Sequence, residues 1–61
     1  MHSRDLIKEL KASGCEFVRH EKGDHQIWYS PNTKKAFIVP HPKQYLPIGT
    51  LCSIKKSAGL L

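Results

Sequence analysis

Arg19-His20-Glu21-Lys22-Gly23-Asp24-His25-Gln26-Ile27-Trp28-Tyr29-Ser30 carries the strongest structural signal in the chain. Gly23 tolerates the positive backbone torsions of a tight hairpin turn, and Asp24 is the next most comfortable residue there. The Gly-Asp pair therefore reads as a two-residue connection between strands. His25 opens the second strand, His25 to Ser30, and Cys15 to His20 (CEFVRH) supplies the first. Downstream, Pro31-Asn32-Thr33-Lys34 makes a second turn and Lys35 to Val39 (KAFIV) returns as a third strand. Pro40-His41-Pro42 stops it, because neither proline can donate to a ladder.

A two-residue loop sets Lys22 opposite His25, His20 opposite Ile27 and Val18 opposite Tyr29, all on one side of the sheet. Phe17, Arg19 and Trp28 then take the other side. If Pro31 to Lys34 is the second loop, Trp28 lies opposite Phe37, with Val39 beside it, and this apolar side is fit to receive helices. His25 falls on the open side with Ile27 and Ile38.

The flanking segments read as those helices. Ser3 can cap the first, Asp5 sits in its positive first turn, and Leu6, Ile7 and Leu10 recur at the spacing of one helical face before Gly14 ends it. Pro47 and Thr50 bracket the start of the second. Leu51, Ile54 and Ala58 form its apolar stripe, Ile48 extends the stripe if the helix begins early, and Gly59 closes it. Lys55 and Lys56 fall off the stripe near the C-terminus, where the helix dipole favours cations. The reading is α+β, one helix, three antiparallel strands and one helix, with both helices on one sheet face. This order resembles the double-stranded-RNA-binding-domain fold.

Sixty-one residues make a single domain, 1–61, too small for a large substrate cleft. Ten Lys and Arg against five Asp and Glu give a formal charge of +5, which points to a polyanion or an acidic protein as partner. Cys15 and Cys52 are the only thiols and lack Cys-x-x-Cys spacing, so neither a zinc ribbon nor a redox motif is supported. They read as free, packed thiols of a reducing cytosol, with a disulfide as the alternative. The four histidines include no helical pair or compact ligand set, so no metal or small-molecule cofactor is expected. The N-terminus has no apolar signal core and no stretch is long enough to cross a bilayer. The expected location is cytoplasmic.

Four motifs in order resemble one family: Ser3 to Gly14 (SRDLIKELKASG), the Lys22-Gly23-Asp24-His25 turn, the Val39-Pro40-His41-Pro42 stop, and Leu46 to Ile54 (LPIGTLCSI). They are similar to the HicA (YcfA-like) toxins of bacterial type II toxin–antitoxin modules, and the resemblance covers nearly the whole chain. It implies a double-stranded-RNA-binding-domain fold, mRNA cleavage without a metal, and inhibition by a HicB antitoxin. The family's catalytic histidine follows the hairpin glycine in a Gly-Ser-His pattern, often with a second His directly after it. Carried over, that residue is His25. Asp24 stands in place of the usual Ser, and Gln26 in place of the second His.

The chemistry asked of such a site is modest, because RNA brings its own nucleophile, the 2′-hydroxyl. An imidazole, the side chain whose unperturbed pKa lies near neutrality, suits the proton transfer, and nearby cations stabilise the charged transition state. The expected product is a 2′,3′-cyclic phosphate. His25 is the expected general acid or base and Lys22 its electrostatic helper, with His20 and Tyr29 as candidates for the second proton transfer. Lys34, Lys35 and Lys43 are candidate phosphate contacts, and Tyr45 or Tyr29 can stack on a base. The rival reading is a non-catalytic RNA-binding module of the same fold. A third is an adaptor whose charge holds an acidic protein.

Overall fold

The computed structural model describes residues 1–61. The order is α1 (Ser3–Ala12), β1 (Glu16–Glu21), β2 (His25–Ser30), β3 (Lys35–Pro40) and α2 (Ile48–Ala58). The strands form one antiparallel sheet in the order β1-β2-β3. One side of this sheet is the core side, where Trp28, Phe37 and Val39 meet Leu6 and Leu10 of α1, Ile54 and Ala58 of α2, and Cys15 and Leu46 from the connections. The expected α-β-β-β-α fold with two helices on one sheet face is the fold of the protein. No helix is long and apolar enough to cross a membrane, and both cysteines are free thiols.

The second hairpin has the expected register. Trp28 pairs with Phe37 and Ile27 with Ile38, and strand alternation then puts Trp28 in the core and the two isoleucines on the open face. The first hairpin does not. Its loop is Lys22-Gly23-Asp24, with Gly23 at φ 75, so Glu21 rather than Lys22 pairs with His25. His20 then faces Gln26 and Arg19 faces Ile27. Left alone, this slip would turn the first strand inside out. A bulge between Phe17 and Arg19 absorbs it, returning Phe17 to the expected side of the sheet, now directly opposite Trp28. Arg19 is thereby moved to the open face and His20 to the helix side, each the reverse of the two-residue-loop expectation.

Both helices end at a glycine in the left-handed region, Gly14 at φ 95 and Gly59 at φ 84. Their starts differ from the sequence reading. His2, not Ser3, caps α1 through its side chain, which accepts the Arg4 N–H. Ile48 begins α2 but points outward, 73% exposed, and so does not extend the stripe.

Ser3 instead is fully buried and clamps the segment after β3. Its N–H donates to Lys43 O at 2.9 Å and its Oγ accepts the Lys43 N–H at 2.9 Å, with His41 Nδ1 a further 2.7 Å away. At the far end of the sheet, Ser30 Oγ donates to Ala58 O, Thr33 Oγ1 to Ser57 O and Asn32 Nδ2 to Ser13 O, so the second turn is tied to both helix ends. Replacing Ser3 by Ala leaves the Lys43 N–H without its partner and removes the His41 contact, two hydrogen bonds that together cost about 2 kcal/mol. For a domain of this size that is roughly a ten-degree loss in melting temperature, checked by thermal denaturation. A Ser3→Ala protein melting with the wild type would show that the clamp contributes nothing.

Candidate active site

His25 lies at the start of the central strand, exposed, between Glu21 on β1 and Pro40 on β3. Two sets of contacts hold it there. Its Nδ1 lies 3.2 Å from the carbonyl oxygen of Lys22, inside the turn. The turn itself is fixed to the rest of the fold, because Asp24 O accepts the His41 N–H at 2.7 Å. His41 in turn belongs to the segment that buried Ser3 clamps, so hydrogen bonds run from the start of α1 to the hairpin that bears His25.

The Lys22 contact favours one tautomer. A carbonyl oxygen only accepts, so this contact is a hydrogen bond when His25 Nδ1 carries the proton. In that neutral form the lone pair sits on Nε2, the nitrogen with no hydrogen-bond partner, where it can take a proton. Once protonated, both nitrogens donate and the Lys22 carbonyl still supports the charge. A general base needs this arrangement, one nitrogen anchored and the other free.

Glu21, Lys22, His25, Ile27 and Ile38 line a shallow recess on the open face. The carboxylate of Glu21 is taken up by Arg19, whose Nη2 and Nε lie 2.8 and 3.1 Å from its Oε1. Lys22 makes no ion pair and is the uncompensated charge in the recess. It stands beside His25 from the turn rather than opposite it across the ladder. The Asp24 carboxylate makes no hydrogen bond to the imidazole.

The other candidates are distributed unevenly. Lys43 lies in the clamped segment at the His25 end of the sheet. Lys35 pairs with Ser30, the last residue of β2, and Lys34 sits in the second turn at φ 57. Both are a strand length, roughly 17 Å, from His25. His20 is on the helix side, and Tyr29, four residues along the strand, is roughly 13 Å away. Neither is beside His25 for the second proton transfer. Tyr45 is exposed in the connection before α2.

Gln26, where the resembling family often has a second histidine, faces the helix side and accepts the Trp28 indole N–H at 3.0 Å. Its role here is to satisfy a buried indole. No three of the His, Cys, Asp and Glu side chains converge as a ligand set. The bulge, the Ser3 clamp and the Gln26–Trp28 bond were missed in the sequence. Nothing local signals the first, because Arg19 and Glu21, two apart in one strand, share a face and can pair in either register.

A family model described as the HicA toxin of bacterial toxin-antitoxin matches residues 3–60. No curated protein and no solved structure matches the chain.

Proposed function

The chain belongs to the HicA toxin family of bacterial toxin–antitoxin systems, and on that premise we propose that it is a cytoplasmic, metal-independent endoribonuclease that inhibits translation by cleaving mRNA. The observation that carries the reading is the anchored imidazole of His25, with Nδ1 on the Lys22 carbonyl and Nε2 free. A module that only bound RNA would have little need of an anchored imidazole at the hairpin tip.

In the proposed reaction, His25 Nε2 takes the proton of the RNA 2′-hydroxyl as that oxygen attacks the neighbouring phosphorus. The bond from phosphorus to the 5′-oxygen breaks, leaving a 2′,3′-cyclic phosphate, and solvent protonates the departing oxygen. The Lys22 ammonium stabilises charge on the phosphoryl oxygens. Lys43, at the same end of the sheet, is the proposed phosphate contact nearest the reacting group. Lys34 and Lys35 contact the strand at a distance and position it without reading sequence.

The antitoxin partner is proposed to be an acidic HicB-type protein that covers the open face. Support comes from the formal +5 charge and from the pairing of Ile27 with Ile38, Ile38 being 53% exposed. Apolar surface beside the unpaired Lys22 fits an acidic protein, and the net charge speeds the encounter.

Metal independence follows from the chemistry of the substrate, which supplies its own nucleophile. Purified protein is expected to cleave unstructured mRNA in excess EDTA at the rate seen without it. Cleavage that disappears with chelator and returns with Mg²⁺ would overturn this.

A further inference from the structure

On the side away from the open face, a shallow groove runs between α1 and the first hairpin, lined by Lys11, Phe17, His20, Gln26, Trp28 and His41 among others. No carboxylate lines it, whereas Glu21 lines the recess beside His25.

His41 is oriented there by a buried contact. Ser3 Oγ already accepts the Lys43 N–H, and at a fully buried position the hydroxyl proton is satisfied only by donation to His41 Nδ1, 2.7 Å away. Neutral His41 then carries its proton on Nε2, which leaves that N–H as a donor to the groove its ring lines. Gln26 Oε1 is occupied by the Trp28 indole, so its amide NH₂ remains a donor as well. Lys11 adds a charge with no ion-pair partner. Beside these donors, the rings of Phe17 and His20 meet edge to face with centroids 5.1 Å apart, and both residues are exposed.

Donors, a cation and aromatic surface with no competing carboxylate match a nucleotide, its phosphate on the donors and its base on the rings. We propose that this groove is a second RNA subsite, in which Lys11 and His41 Nε2–H hold a phosphodiester while Phe17 and His20 meet the adjoining base. The identity of the ligand rests on the ribonuclease reading. The groove and His25 share one end of the sheet on opposite faces, since His20 pairs with Gln26, the neighbour of His25, and His41 bonds to Asp24. An RNA strand that crosses the β1 edge of the sheet therefore has one nucleotide in the groove while another is presented to His25.

The test titrates the ¹⁵N-labelled full chain with a short oligodeoxynucleotide, which lacks the attacking hydroxyl and is not cut. The expected result is shifts of the Trp28 indole N–H and of the Lys11 and His20 amides. The expected loss of affinity in Lys11→Gln/His20→Gln is about tenfold, with melting unchanged because both residues are exposed. Shifts confined to the open face, or wild-type affinity in the double variant, would remove the groove while leaving the ribonuclease reading intact. A wild-type protein that neither binds the oligonucleotide nor cuts mRNA would remove that reading and the groove with it.

Discussion

His25→Ala is expected to abolish mRNA cleavage while the fold and RNA affinity stay close to wild type. The structural cost is small. The imidazole is exposed and its one side-chain hydrogen bond reaches a turn carbonyl that water can also serve, so the loss is at most about 1 kcal/mol. Its neighbours do not depend on it, because the turn is held through Asp24 O and His41 N–H, which are backbone groups. The catalytic cost is of another size: removing a general base slows the chemical step on the order of a hundredfold or more. Cleavage, RNA binding and thermal melting measured on the same two samples separate the outcomes. A folded variant that cuts at the wild-type rate would take His25 out of the mechanism, and one that fails to fold would make it a structural residue. Asp24→Asn serves as the control from the same turn. Its carboxylate makes no bond to the imidazole, so this substitution should leave the rate within a few fold.

The parts of this protein legible in its sequence are those governed by local rules. Strand β2 and the start of α2 follow from the hairpin pattern and from Pro47, and the core face follows from the spacing of Trp28, Phe37 and Val39. What sequence reasoning got wrong depends on one residue of loop length. Lys22-Gly23-Asp24 serves as the loop where Gly23-Asp24 was expected, and a period-two ladder converts that single residue into an exchange of faces for Arg19 and His20. Only the bulge between Phe17 and Arg19 keeps the slip from reaching the start of β1, where exposed Phe17 lies against Trp28 with ring centroids 5.8 Å apart. Ser3 was misread for a different reason. A serine before a helical run is a good cap by type, but its partner lies at His41 and Lys43, and no local pattern reveals a contact that distant. The candidate site inherits both effects. His25 stays on the open face because it belongs to the well-read β2, whereas its companions come from β1 and the turn, and so Lys22 moved and Glu21 arrived.

Ile38→Asp is expected to weaken binding of the antitoxin by roughly a hundredfold or more, the scale of a central interface residue, with RNA cleavage by the free toxin retained. Ile38 sits directly across from Ile27 beside the His25 recess, 53% exposed in the isolated chain, with no helix on its side of the sheet. A small domain gains nothing by showing Ile38, beside half-buried Ile27, to water unless something covers them. An aspartate there acts twice, first by removing apolar area from the patch and then by setting a negative charge against the acidic partner proposed above. Ile38→Thr separates these two contributions. It keeps the strand preference of a β-branched residue and loses only apolar contact, so it should fall between the wild type and the aspartate variant. Ile48→Asp is the matched control, because Ile48 is 73% exposed on α2, across the sheet, at a helix start where a carboxylate is welcome. Calorimetric titration of each variant with the antitoxin, alongside melting curves, reads all three. Equal weakening by Ile48→Asp, or undiminished affinity in Ile38→Asp, would move the antitoxin off the open face, and inhibition of His25 would then have to act through the fold rather than by covering the recess.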